Sequence, residues 1–375
     1  MKPGAVAAVA FLQVLLFCSH WFLYHTLVAF WPSFLPLSAD GSLYLRGALY
    51  AFSVSFVVAA LLAFRYSNPF VAFLYRLAAS WLGTLNFLFW AACLCWFVDF
   101  GAGLIGQGSS LSARPWIGTV FFGLAVLISI YGFLNARLIR ERRIAVTLPN
   151  LPESWKGRTA LLVSDLHLGN INSTGFSRRI ASIVRRLDPS IIFIAGDLYD
   201  GSRADPFRIA APLFELAPPF GTYFCGGNHD DFGDAAAYSS AITRGGIRVL
   251  HNQKVDVDGL QVIGVSYADS NYPAHLRAFL EPLHLGDGPA SILLNHVPHR
   301  LPIVEQTGVS LQLSGHTHGG QLFPFTLIVR RIYGKFSYGL QRFGNLQVLT
   351  SSGAGTWGPP MRVGTQPEVV LITFA

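Results

Sequence analysis

Charge is almost absent from the first third of this chain. Up to Ala136 only seven of the 47 charged residues occur: Lys2, Asp40, Arg46, Arg65, Arg76, Asp99 and Arg114. Residues 3–39, 47–64, 77–98 and 115–136 carry none at all. A helix needs ~18–20 apolar residues to cross the hydrocarbon of a bilayer, and each of these runs reaches that length. Four transmembrane helices are therefore expected near residues 5–31, 43–64, 70–98 and 115–136. A soluble core rarely needs four such runs in succession. The first run is longer than the ~7–15 apolar residues of a cleaved signal sequence, so it reads as an anchor.

Basic residues in the short loops set the orientation. Lys2 precedes the first run, Arg65 and Arg76 bound the second loop, and Arg137, Arg140, Arg142 and Arg143 follow the fourth. The other two loops hold Asp40, Arg46, Asp99 and Arg114. This bias predicts an integral protein of the plasma (inner) membrane whose second half faces the cytoplasm. The arginines at 137–143 would then meet anionic headgroups. All charges of the first third lie near span ends, which argues against a transporter, whose path calls for charges within the spans. From residue 137 onward there are 22 basic and 18 acidic residues, a balance too mild for nucleic-acid binding. Cys18, Cys93, Cys95 and Cys225 form no disulfide-like framework, which suits a reducing compartment.

The second half carries five clusters of oxygen and imidazole donors, each where an apolar β-run ends. Residues 159–164 lead into Asp165-Leu166-His167, and 191–195 into Gly196-Asp197. Residues 221–224 lead to Gly227-Asn228-His229-Asp230, 291–294 to His296, and 311–314 to Gly315-His316-Thr317-His318. Strand ends are where an α/β scaffold gathers distant residues into one crevice. One D-x-H alone would be weak; a lone His there is more often a core residue and a lone Asp a helix cap. Five in order point to a site for two hard or borderline divalent cations. No cysteine falls among them, so a structural zinc cage is not expected.

The order D-x-H, G-D, G-N-H-D, H, G-H-x-H resembles the calcineurin-like metallophosphoesterases. The extension Gly315-His316-Thr317-His318-Gly319-Gly320-Gln321 is similar to their membrane-associated branch. The resemblance covers residues 155–375 and implies Asp165, His167 and His318 on one metal, Asn228, His296 and His316 on a second, and Asp197 between them. It implies a metal-bridging hydroxide as nucleophile, with His229 facing the phosphate. Manganese comes first among the two divalent ions, with iron, zinc or magnesium as alternatives. Asp230 is expected to orient a neighbouring imidazole. Six histidines (His20, His25, His251, His275, His284 and His299) lie outside these motifs and receive no role.

Alternating strand-like and amphipathic segments followed by strands fit an α+β fold. The expected architecture is a four-helix transmembrane region over residues 1–138 and a linker over 139–158. A four-layer αββα sandwich with two mixed sheets then spans 159–375. The Gly-rich segment 351–362 reads as a loop closing the last hairpin, in which Arg362 is the candidate for pairing with an anionic substrate. Residues 322–343 mix aromatic and basic side chains and read as a hairpin half in the core, with lipid contact as the alternative. Two G-x-G-x-x-G matches, at Gly101-Gly103-Gly106 and Gly353-Gly355-Gly358, open no helix within a βαβ unit and are not dinucleotide sites.

The function expected is a membrane-anchored metal-dependent phosphohydrolase, acting on phosphoester or pyrophosphate bonds of an amphiphilic, lipid-linked substrate. Partners are the bilayer and that substrate. The alternatives are a catalytically silent recruitment module, and a phosphatase or phosphodiesterase for soluble substrates.

Overall fold

The protein is described by a computed structural model covering residues 3–32, 37–104, 113–232 and 234–375. Lys2 and Gly106 lie outside the described residues. The chain divides into two compact units. One holds Met1–Leu134 with Gly358–Met361; the other holds Asn135–Trp357 with Arg362–Ala375.

The first unit is helical: α1 (Pro3–Ala29), α2 (Ala39–Arg65), α3 (Pro69–Leu104) and α4 (Arg114–Asn135). All four are long and apolar enough to cross a membrane. Their few polar groups find partners, as buried donors in an apolar setting must. Trp81 Nε1 donates to His20 Nε2 at 2.8 Å, and His20 Nδ1 lies 2.7 Å from the Leu16 carbonyl. Indole is donor-only, so this pair fixes the Nδ1–H tautomer. Trp96 Nε1 reaches Thr26 Oγ1 at 2.8 Å. Arg114 binds both carboxylate oxygens of Asp99, at 3.0 and 2.9 Å, so the two charges between α3 and α4 neutralise each other.

The second unit contains two six-stranded mixed sheets. The strands are β1 (Arg140–Val146), β2 (Thr159–Val163), β3 (Ile191–Ala195), β4 (Thr222–Cys225), β5 (Arg248–Val249) and β6 (Gln253–Val257). They continue with β7 (Leu260–Gly264), β8 (Ser291–Leu294), β9 (Leu311–Ser314), β10 (Gly339–Phe343), β11 (Leu346–Thr350) and β12 (Glu368–Phe374). One sheet runs β1-β12-β2-β3-β4-β5 and the other β10-β11-β9-β8-β7-β6. Strands β2, β3 and β4 are mutually parallel, as are β7, β8 and β9, so their carboxyl ends emerge together.

Helices lie outside the sheets: α5 (Thr174–Leu187), α6 (Pro206–Phe214), α7 (Asn228–Phe232) and α8 (Ala235–Arg244) follow the first, and α9 (Tyr267–Asn271), α10 (Pro273–Leu280), α11 (Leu301–Gln306) and α12 (Phe325–Tyr333) the second. The inter-sheet core joins Leu162 and Phe193 to Leu260, Ile292 and Leu313. A second cluster lies under α5, α6 and α8, and a third under α10 and α11, completing the four layers.

Two expectations are corrected here. Residues 139–158 are not merely a linker: β1 pairs in parallel with β12, from Arg140↔Glu368 to Val146↔Phe374. Its arginines are edge-strand residues, and the Arg142 guanidinium lies over the Tyr338 ring at 4.8 Å. A charged edge strand with a partner so distant in sequence looks locally like a solvated segment. Residues 322–343 are not one hairpin either, because α12 precedes the single strand β10.

Candidate dinuclear metal centre

The five clusters meet at the carboxyl ends of β2, β3, β4, β8 and β9. The chain turns sharply as it leaves these strands, and the turning residues are the candidate ligands themselves. Asp165 (φ 52°), His167 (φ 45°), Asp197 (φ 52°), His316 (φ 67°) and His318 (φ 48°) all adopt the left-handed conformation. Non-glycine residues seldom do so, and such strain collects where function requires a particular side-chain direction. Two glycines give the carboxylates room. A Cβ on Gly227 would run into the Asp197 carboxylate, and one on Gly315 into that of Asp165.

Hydrogen bonds continue the sheet beyond its strands and hold the loops in place. Asp165 N donates to Gly196 O and His167 N to Asp197 O, both at 3.0 Å. His316 N donates to Asp165 Oδ1 at 2.9 Å and His229 N to Asp197 Oδ1 at 2.8 Å. Asp197 Oδ2 is left facing two imidazoles, 3.2 Å from His296 Nε2 and 3.7 Å from His167 Nε2.

On one side His167 Nε2 lies 3.0 Å from His318 Nε2, which is 3.5 Å from Asp165 Oδ1. On the other, Asn228 Oδ1 sits 3.2 Å from His296 Nε2 and 3.0 Å from His316 Nδ1. Three sets of donor atoms fall within 4.8 Å of one another: Asp165-His167-His318, His167-Asp197-His229 and Asp197-His296-His316. The structure thus brings together all seven residues expected as ligands. His229, expected outside the metal shell, also comes close; its ring stands edge-on to His167 at 4.7 Å.

The donors suit divalent cations. Burial pushes the His167 and His316 imidazoles down to about 3, which keeps their ring lone pairs available. Burial and then the Arg362 guanidinium hold His318 well below its ordinary value. His296 is the exception: burial opposes its protonation, yet Asp197 and then Asp165 raise it to about 10. Two buried carboxylates thus favour positive charge where the imidazoles converge. His296 Nδ1, 2.8 Å from the Ala195 carbonyl, must be its donor, so the ring is oriented with Nε2 toward Asp197.

Two assigned roles change. Asp230 orients no imidazole: its carboxylate accepts from the backbone of Asp197 and Gly227 at 2.8 Å and of Tyr199 at 3.1 Å, clamping the β3 and β4 loops together. Arg362 is fully buried rather than turned to a substrate. Its guanidinium donates to the carbonyls of His318, Gly353 and Gly355 at 3.1, 3.2 and 2.6 Å, and its Nη2 lies 3.1 Å from His318 Nδ1. A residue that could bind either a phosphate or a ring of carbonyls cannot be sorted by sequence alone.

Beside His316 opens a cleft of ≈ 390 Å³, lined among others by Tyr267, His299, Arg300, Ile332 and Tyr333. The sequence motifs did not single out Tyr267 or Arg300, whereas Tyr333 belongs to the aromatic and basic segment 322–343. Tyr267 follows β7 as the ligands follow their strands, a signal that could have found it. Arg300 owes its place to a left-handed backbone (φ 56°) with no local signature.

The family described as calcineurin-like phosphoesterase matches residues 159–320. A transmembrane protein with metallophosphoesterase domain from Danio rerio is 32% identical over 268 residues, covering 67% of this chain and 61% of that one. An uncharacterized metallophosphoesterase of Aquifex aeolicus is 30% identical over 257 residues, covering 67% of this chain and 97% of that one. A Bos taurus transmembrane protein with metallophosphoesterase domain is 29% identical over 300 residues, covering 74% of this chain and 66% of that one. The chain thus spans less than two thirds of the length of these vertebrate relatives.

Proposed function

Because the chain belongs to the calcineurin-like metallophosphoesterases, we propose that it is a membrane-anchored, two-metal hydrolase of phosphoester or pyrophosphate bonds. The observation that carries this reading is the gathering of seven buried or half-buried candidate ligands into overlapping sets, with the Asp197 carboxylate facing imidazoles from both sides. Asp165, His167 and His318 would hold one divalent cation and Asn228, His296 and His316 the other, with Asp197 between. Two such cations bring the pKa of water down to about 7 and draw charge from phosphoryl oxygens. The carboxylate and amide oxygens suit manganese or magnesium and the imidazoles iron or zinc, and of these manganese is the ion to test first.

The protein's own groups complete the chemistry. His229, buried against His167 and with Trp357 5.4 Å from its ring, would donate a proton to the departing oxygen or stabilise charge on the phosphoryl group. The cleft beside His316 offers Arg300 as a cation and Tyr267 and Tyr333 as ring surfaces for the leaving group. The four apolar helices support an amphiphilic, lipid-linked substrate, because anchoring raises the local concentration of enzyme near such molecules. The arginines flanking the second connection and following the fourth apolar helix support a cytoplasmic active site, which a compartment-specific reporter fused at Ala375 would test.

The deciding experiment is hydrolysis of a chromogenic phosphodiester by detergent-purified protein, with manganese added or metal stripped. Activity should need metal and fall at least ~100-fold in Asp197→Asn and in His229→Ala. Failure to bind metal would replace this reading with a recruitment module. Comparable turnover of lipid and water-soluble substrates would remove the lipid preference.

A further inference from the structure

Beyond residue 140, large apolar side chains are buried with few exceptions, and the exceptions are gathered in one place. Among the described residues they are Phe323, Phe325, Leu327, Ile328, Ile332 and Trp357, with only Tyr272 and Tyr338 besides. Five of the six belong to α12 or its entry, and Gln321 ties Trp357 to that segment through bonds of 2.9 and 3.0 Å.

The exposure has a pattern. Phe325, Ile328 and Ile332 stand at i, i+3 and i+7, one stripe of a helix. They are 48%, 53% and 66% exposed, whereas Thr326, off that stripe, is buried beside Gly320. The apolar stripe that normally seats a helix on its domain is turned outward here. Arg330 and Arg331 close the helix and Lys335 follows, all exposed, and residues 322–343 contain no acidic side chain. Helix α12 also lies outside the span matched to the family, residues 159–320.

We propose that α12 is an interfacial helix, seated in the headgroup–acyl boundary of an anionic bilayer surface. An outward apolar stripe with basic side chains at its end, aromatic neighbours and no acid is the composition that such a surface holds. The bilayer is also at hand: four apolar helices precede the unit, and only residues 136–139 separate α4 from β1. Ile332 and Tyr333 of α12 also line the cleft at His316, so the seated helix brings that cleft to the lipid surface. This last consequence rests on the two-metal hydrolase reading; the seating of α12 does not.

The test is photolabelling of the full chain in nanodiscs whose lipids carry a diazirine in the acyl chain, with labelled peptides mapped by mass spectrometry. The four apolar helices are the internal positive control. Label is expected on residues 325–332 in phosphatidylglycerol discs, and roughly five-fold less in phosphatidylcholine discs. The double variant Ile328→Glu, Ile332→Glu should lose the α12 label while α1–α4 keep theirs. Labelled spans with an unlabelled α12, or a label that persists in the double variant, would overturn the proposal. Equal labelling in both lipids would overturn its anionic part. Neither metal nor turnover enters the readout, so the hydrolase reading can fail without it.

Discussion

Helices α5 and α12 are both short amphipathic helices of the same unit, and they turn opposite faces toward its core. In α5 the apolar residues Ile180, Ala181, Ile183 and Val184 are buried on the sheet, while Arg178, Arg179, Arg185 and Arg186 face solvent. In α12 the apolar stripe faces out and only Thr326 is buried. The periodicity is the same in kind, so amphipathicity says that a helix has two faces, not which medium each will meet. A helix over a sheet centre finds an apolar layer waiting. A helix after the last ligand loop at the site's mouth finds none within its own unit.

The comparison can be broken from either side. The largest effect is expected on α5: Ile180→Asp places an unpaired charge in a closed core and should cost about 4 kcal/mol or more. Thermal unfolding in detergent should then show no native-like transition in the second unit. A transition near that of the parent protein would mean that α5 is no more closely packed than α12.

The arginines offer an intermediate test of the same contrast. Arg362 is buried with its guanidinium bonded to His318 and to the carbonyls of Gly353 and Gly355, whereas Arg331 is exposed. Arg362→Lys should lose about 10–100-fold in metal affinity, because one ammonium cannot reach the partners that a planar guanidinium spans. Arg331→Lys should leave metal content, read by mass spectrometry, unchanged. Equal affinities in the two variants would remove Arg362 from any role in holding His318.

The smallest effect is expected on α12 itself. Ile328→Asp should change the stability of the second unit by no more than about 0.5 kcal/mol, since half of its side chain stands clear of the packed core of that unit. A loss near that of Ile180→Asp would show that the outward stripe packs within the protein after all.

Much of the architecture was legible. The apolar runs at 191–195, 291–294 and 311–314 coincide with β3, β8 and β9, because a fully buried strand reads as continuous hydrophobicity. The four spans were legible because the bilayer imposes a length and forbids charge. What escaped detection depended on distant partners. Strand β1 pairs with β12 across more than two hundred residues, so Arg140–Val146 carries no local sign of being a strand. Asp230 and Arg362 have side chains with several possible roles, and only the backbone groups around them decided between an imidazole clamp, a phosphate contact and a loop staple.

The sequence by itself determined the two classes of material in this protein and the inventory of its site. Hydropathy is summed along the chain, so membrane spans and buried strands are visible there, and ligand motifs persist because each is set by a single strand end. Tertiary structure alone decided direction. The left-handed turns at Asp165, His167, Asp197, His316 and His318 aim five side chains at one point, the burial of Arg362 takes it away from the substrate, and the packing of α12 turns its apolar stripe outward. Direction in space comes from contacts between residues far apart in the chain, and no local pattern encodes it.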